Sequence, residues 1–341
     1  MKRLLCVLLL ACVLSGCASG STQPEQKQYT ASFLDVFDTV TSIVGKADGE
    51  EAFREKTAGI HDELRKYHQL FDIYNGYDGI NNLKTVNDNA GIAPVTVDEA
   101  IIALLKDCKA YYELTCGMVN PAMGSVLQLW HVARNDGIND PAHAYLPKED
   151  KLQEAAKYMD FDAVILDEAA STVYIADPNV RLDVGAVAKG WSVQRVAENA
   201  PAGLLMSVGG NVCATGPKDP SGTPWVVGIQ NPDGGDQYLH TLYLTEGSLV
   251  TSGDYQRAYV VDGELYHHII DPGTLYPSTL WRSVTILCED SGLADALSTA
   301  LFLLPLEEGQ ALLDKTGAFA MWVNRNGEIF YSPGFQDNIR T

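Results

Sequence analysis

The residues best placed to do chemistry are Asp295 and Thr299, in the run Ala294-Asp295-Ala296-Leu297-Ser298-Thr299-Ala300-Leu301-Phe302. The spacing of Leu297, Ala300, Leu301 and Leu304 predicts a buried helix over residues 293–304. Residues four apart on a helix share a face. A carboxylate and a hydroxyl so arranged offer two oxygen donors to a hard cation such as Mg²⁺. A carboxylate in so apolar a helix also needs a partner, because an unpaired buried charge is costly. The competing reading makes Asp295 a cap at the start of this helix, beside Ser291 and Gly292. These residues alone leave both readings open.

Four further runs carry candidate chemistry. Leu182-Asp183-Val184-Gly185-Ala186-Val187-Ala188-Lys189-Gly190-Trp191 joins a predicted strand to a helix N-terminus. Free backbone N–H groups there attract anions, and Lys189 adds a full positive charge. The Gly-x-x-x-x-Gly-Lys spacing of a P-loop is absent. Ser207-Val208-Gly209-Gly210-Asn211 is either a tight turn or a place where backbone approaches a ligand closely. Thr251-Ser252-Gly253-Asp254-Tyr255-Gln256-Arg257 reads as a polar turn between strands. In Tyr266-His267-His268-Ile269-Ile270-Asp271-Pro272, strand alternation puts His268 and Ile270 on one face and His267 and Ile269 on the other. Asp271 follows at once, as a carboxylate that orients a general base often does.

The elements that must hold these residues follow from periodicity and punctuation. Residues 29–44 alternate like an opening strand pair, and 51–70 are amphipathic and helical. Further helices are expected over 97–114, 121–134, 148–159, 187–199, 293–304 and 306–315. Short strands are expected over 161–166, 172–175, 180–184, 204–208, 225–230, 239–244, 257–261, 266–270 and 283–287. A final hairpin, 318–323 and 328–331, turns at Asn326-Gly327. Clustered strands flanked by helices predict an α+β fold, with antiparallel sheet covered by helices.

Composition limits the partners. The 341 residues carry 24 Lys and Arg against 44 Asp and Glu. So acidic a surface argues against nucleic acid and against adsorption on anionic lipid. Lys2, Arg3 and the apolar stretch 4–13 predict a secretory signal, 1–16, rather than a membrane span. It ends in Leu14-Ser15-Gly16-Cys17, which resembles the lipobox of bacterial lipoproteins and implies a lipid on Cys17. Residues 17–30, rich in Ser, Gly, Gln and Pro at their start, are expected to tether a single domain, 31–341. Cys108, Cys116, Cys213 and Cys288 share no metal-ligand spacing and read as isolated thiols.

Six segments stand in the order and spacing of the ApbE family. They are Phe37-Asp38-Thr39, residues 183–191, Gly209-Gly210-Asn211, Ser252-Gly253-Asp254-Tyr255, His268-Ile269-Ile270-Asp271-Pro272 and Asp295-Ala296-Leu297-Ser298-Thr299. The chain after residue 30 therefore resembles bacterial FAD:protein FMN transferases, many of them lipoproteins with a T-fold-related architecture. The resemblance implies that FMN passes from FAD to a Ser or Thr of another protein through a phosphoester bond, releasing AMP. It implies Mg²⁺ held by Asp295, Thr299 and the carbonyl of Ala186, with His268 as the base. It places Asp183, Lys189 and Ile269 against FAD, with Phe37, Tyr74, Met118, Val119 and Asn120 lining the nucleotide pocket. The implied acceptors are FMN-binding domains of Rnf or sodium-pumping NADH:quinone oxidoreductase complexes, and the implied place is the outer face of the cell membrane.

Two departures qualify that carry-over. Many relatives have Asp-Pro-Arg-Thr-Gly where this chain has Asp271-Pro272-Gly273-Thr274-Leu275, so an arginine contact near that loop is missing. Asp78-Gly79 replaces a common Ser-Glu pair. Two other functions compete with transfer. One is a Mg²⁺-dependent FAD pyrophosphatase, with water replacing the hydroxyl. The other is a non-catalytic flavin-binding lipoprotein, which the composition and anchor alone would favour.

Overall fold

The structure is a computed structural model and describes residues 26–340. The expected signal over 1–16 and the lipidated Cys17 lie outside the described residues. The expected tether, 17–30, lies partly outside them, and its last residues are not tether. Lys27 to Thr30 open strand β1 (Lys27–Val36), which pairs with β2 (Thr39–Ala47). Their alternation reaches back that far, and Tyr29 stacks on Phe53 with ring centroids 5.9 Å apart. The two residues between the strands, Phe37 and Asp38, have φ values of 54° and 51°. This is the left-handed pair that a two-residue hairpin turn demands.

Four helices follow with a small sheet: α1 (Glu50–Phe71), α2 (Leu83–Asp88), β3 (Val95–Thr96), α3 (Glu99–Leu114) and α4 (Gly124–Asn139). Next come α5 (Glu149–Ala155), β4 (Val164–Asp167) and β5 (Thr172–Ile175). The stretch 180–184, expected as a strand, is not one. Its pairing positions are taken by other groups: the Asn87 side chain brackets Leu182, donating to its carbonyl and accepting its N–H. On the other side the Asp183 N–H donates to the Pro121 carbonyl, and the Arg181 carbonyl accepts from Gly124 N–H. The segment is thus clamped in extended form beside the coming helix.

The remaining elements build the main layer. They are α6 (Ala188–Asn199), β6 (Leu204–Val208), β7 (Asn211–Thr215), β8 (Trp225–Gln230), β9 (Tyr238–Leu244) and β10 (Glu246–Gly253). Then come β11 (Tyr259–Val261), β12 (Glu264–Tyr266), β13 (Trp281–Cys288), α7 (Ser291–Leu303), α8 (Leu306–Leu313), β14 (Phe319–Asn324) and β15 (Ile329–Tyr331). Eight strands form one antiparallel sheet in the order β1-β2-β6-β7-β10-β13-β14-β15. Helices α1, α6 and α7 cover one face, and the β8–β9 hairpin covers part of the other. The fold is therefore α+β, as expected.

Strands β7 and β10 carry no sign of themselves in the sequence. β7 follows β6 across the two-residue turn Gly209-Gly210, whose φ values are 56° and 93°. β10 is buried on both faces over residues 247–250, which removes the alternation that marks a half-buried strand. The expected strand 266–270 is shorter than predicted. β12 ends at Tyr266, and His267 to Ile270 form a loop held by an isolated bridge from Ile270 to Pro277.

The closest approach in the helical layer is between α6 and α7. A Cβ on Gly190 would lie 2.2 Å from the Ser291 carbonyl oxygen and 2.5 Å from Asp295 Cβ. Backbone on one side and a packed helix on the other leave no room to yield. Gly190→Ala is therefore expected to destabilise the protein by roughly 1–3 kcal/mol or more, the range for overpacked interiors. Equilibrium denaturation checks this, and an unchanged midpoint would mean that the two helices part without cost.

Candidate active site

A cavity of about 460 Å³ brings together every candidate site residue within the described part of the chain. The β1–β2 turn supplies Phe37, and the loop after α1 supplies Tyr74. Met118, Val119 and Asn120 come from the turn before α4, and Asp183, Ala186 and Lys189 from the approach to α6. His268 and Ile269 follow β12, and α7 supplies Asp295 and Thr299. The volume falls in the range of clefts that bury most of a small ligand.

Asp295 is not the cap of its own helix. Asp290 caps α7, its Oδ1 accepting the Leu293 N–H at 2.7 Å. Asp295 lies one turn further on and is 4 % exposed. Its Oδ2 accepts the Gly190 N–H at 2.8 Å and lies 3.7 Å from Lys189 Nζ. A carboxylate at the first turn of α6 is favoured by that helix's dipole. Gly190 is the third residue of α6, so its N–H is one of the first-turn donors that have no partner within the helix, and Asp295 supplies one. The Ala186 carbonyl, just outside the helix, accepts no hydrogen bond among the described residues. Asp295 Oδ1 and the Thr299 hydroxyl are likewise unbonded there.

Three oxygens of different kinds thus face one cavity without partners. That donor set suits a hard cation such as Mg²⁺. Among the described residues no three His, Cys, Asp or Glu side chains gather to hold a metal. Any metal here rests on one carboxylate helped by a hydroxyl and a carbonyl.

His268 is oriented differently from expectation. Asp271 does not touch it; its Oδ1 accepts the N–H groups of Gly273 and Thr274 and so closes its own turn. Instead His268 Nδ1 lies 3.2 Å from the Gln256 carbonyl oxygen. A carbonyl only accepts, so Nδ1 carries the proton and Nε2 keeps a free lone pair. Burial pushes the imidazole's pKa down from 6.5 to about 3, helped by the positive charges of Arg257, Lys189 and Arg134 and by His267. His268 is therefore a neutral base at ordinary pH. His267 is structural, donating from Nε2 to the Ser278 carbonyl at 2.8 Å and packing edge-on against Phe302.

The nucleotide-side candidates are held by local turns. Asp72 Oδ1 accepts the N–H groups of Tyr74 and Asn75, which presents the Tyr74 ring to the cavity. Phe37 packs edge-on against His68, whose Nδ1 accepts the Phe37 N–H. Asn120 lines the cavity, but its amide is engaged in structure, donating to the Met159 carbonyl and accepting the Ala122 N–H. Burial raises the Asp183 carboxyl, against the Gly185 N–H and the charges of His131, Arg257 and Arg134.

Several lining residues were not singled out as site residues in the sequence. Asn211 is 2 % exposed, and its Nδ2 has no partner among the described residues. His131 and Arg134 stand three apart on α4, a spacing that marks helix neighbours but is equally common on solvated faces. Arg257 lay inside a quoted run but was read only as part of a turn.

Known proteins share this chain's sequence and fold. The family model described as "ApbE family" matches residues 37–322. An FAD:protein FMN transferase of Treponema pallidum is 31 % identical over 97 % of this chain and 94 % of its own length. One from Klebsiella pneumoniae is 31 % identical over 80 % of this chain and 86 % of its own. The crystal structure of the ApbE protein of Thermotoga maritima superposes with a TM-score of 0.81 at 31 % identity, covering 92 % of this chain and all of that one. The shared fold, the match from the β1–β2 turn to β14 and the near-complete coverage lead to one conclusion: this chain belongs to the ApbE family.

Proposed function

We propose that the protein is a Mg²⁺-dependent FAD:protein FMN transferase. The observation that carries this reading is the cavity in which a neutral His268 and the unpaired oxygens of Asp295, Thr299 and Ala186 meet. Relatives bearing that activity by name support it.

The reaction balances on these residues. The acceptor Ser or Thr oxygen forms a bond to the FMN-side phosphorus, and its proton passes to His268 Nε2. The phosphorus–oxygen bond to the AMP half breaks, and AMP leaves with the electron pair. Asp295, Thr299 and Ala186 would hold Mg²⁺, which when bound neutralises charge on the pyrophosphate. Lys189, anchored beside Asp295, adds a cation at the same end. Tyr74 and Phe37 offer apolar faces to the rings of FAD. The leader pattern and Cys17 support a lipid-anchored enzyme outside the cytoplasm, acting on FMN-binding domains of membrane redox complexes.

Incubating the full chain with FAD, Mg²⁺ and an FMN-binding acceptor domain, then taking intact masses, tests the reading. Covalent FMN on the acceptor is expected, with AMP released and both lost in EDTA. Asp295→Ala should remove turnover, and His268→Ala should slow it by about 10²–10⁴-fold, the usual worth of a general base. Free FMN and AMP beside an unmodified acceptor would point to the pyrophosphatase instead.

The pH profile is a separate check. A base whose pKa is depressed stays competent until the pH falls toward its folded value. Transfer by His268 should therefore hold level from about pH 8 to about pH 5, with no acid limb near the ordinary imidazole value. A limb near 6.5 would contradict the buried, neutral imidazole. The same shift makes folding stability fall as pH drops from 6.5 toward about 3, because only the unfolded chain takes up the proton there.

A further inference from the structure

Beyond Lys189, the cavity contains two cations that form no ion pair among the described residues. Arg134 and Arg257 both line it, and neither has an Asp or Glu oxygen within 4.0 Å among the described residues. The two guanidinium groups are close enough to repel each other, and Arg134 is half-buried. Asp183, the carboxylate that feels both charges, accepts the Gly185 N–H with Oδ1.

Arg134 is also aimed. Its Nη2 donates to His131 Nδ1 at 3.1 Å, and the His131 ring stacks on Tyr74 with centroids 4.5 Å apart. Burial and the neighbouring arginine hold His131 below its ordinary pKa, so it accepts as a neutral ring and leaves the guanidinium charge intact. Arg257 follows Gln256, whose carbonyl orients the base, and it sits at a φ of 45°. Such backbone strain gathers where a side chain must be placed for function. Both charges reach His268.

We propose that Arg134 and Arg257 form a second phosphate-binding jaw, gripping the phosphate that is transferred from the side opposite Lys189, Asp295 and Thr299. The inference rests on the transferase reading. Guanidinium forks match phosphate oxygens in shape and charge, and a bound phosphate relieves the repulsion between the pair. His131 is then a positioning residue, holding Arg134 through one nitrogen while its ring supports Tyr74.

The test is binding, not turnover. The full chain in EDTA is titrated with FMN and riboflavin by flavin fluorescence, and with inorganic pyrophosphate by thermal shift. Wild type, Arg134→Gln, Arg257→Gln and Arg134→Lys are compared. FMN should be preferred over riboflavin, and each Gln variant should cut that preference by about tenfold while riboflavin affinity holds, as expected for losing one charged hydrogen-bonding partner. Arg134→Lys should keep part of the preference, since it keeps the charge but loses the fork. An unchanged preference in both Gln variants overturns the proposal, and so does an equal loss for riboflavin and FMN. Should wild type bind neither flavin in EDTA, nor FAD when Mg²⁺ is restored, the transferase reading fails. The jaw is then judged on pyrophosphate alone: stabilisation lost in the Gln variants upholds it, and stabilisation independent of both arginines overturns it. Arg257→Gln, on an exposed turn, keeps the test decisive if α4 tolerates no change at Arg134.

Discussion

One hydrogen bond organises this active site: the Gly190 N–H donating to Asp295 Oδ2. It joins two helices that are about a hundred residues apart in sequence and lets them approach to a distance that only a residue without Cβ permits. It settles a buried carboxylate on a helix N-terminus, where the dipole favours it. It also fixes Asp295 beside the Ala186 carbonyl, which lies just outside the helix and accepts no hydrogen bond among the described residues. A change at Gly190 therefore reaches both the packing of the helical layer and the donor set of the proposed metal site.

The cavity mixes both signs of charge. Lys189, Arg134 and Arg257 act on one imidazole, while Asp38, Asp72, Asp183 and Asp295 line the same space. Burial and these cations keep His268 neutral, and the Gln256 carbonyl decides which nitrogen bears the proton. Arg134 and Arg257 repel each other, and an entering anion relieves that repulsion, which accords with a substrate bearing two phosphates. The base and Arg257 depend on the same turn, 254–257, where β10 ends and β11 has not begun.

Much of this was legible in the sequence, for identifiable reasons. The Asp295–Thr299 spacing survives because helix periodicity fixes which side chains share a face. The approach to α6 was visible from its glycines and lysine, although its preceding strand proved to be an extended segment clamped by Asn87. Strand β10 was invisible, since burial on both faces erases alternation. The orienting partner of His268 was misjudged because an adjacent carboxylate is conspicuous, while a backbone carbonyl 12 residues away leaves no mark in composition. His131 and Arg134 looked like ordinary polar positions of an amphipathic helix. Their meaning depends on tertiary placement beside Tyr74 and Asp183. The domain's first strand began inside a stretch whose Ser, Gly and Gln content read as tether, because β1 lies at a sheet edge and tolerates polar residues.

The central claim is that Asp295, fixed on the first turn of α6, forms a three-oxygen cation site with Thr299 and the Ala186 carbonyl. Its most direct test is a crystal structure of the protein soaked with Mn²⁺ in place of Mg²⁺, read by anomalous scattering. The account predicts one peak in contact with Asp295 Oδ1, the Thr299 hydroxyl and the Ala186 carbonyl, with the Gly190 N–H still on Asp295 Oδ2. A peak elsewhere in the cavity, or a Gly190 N–H without Asp295 as its partner, would contradict it.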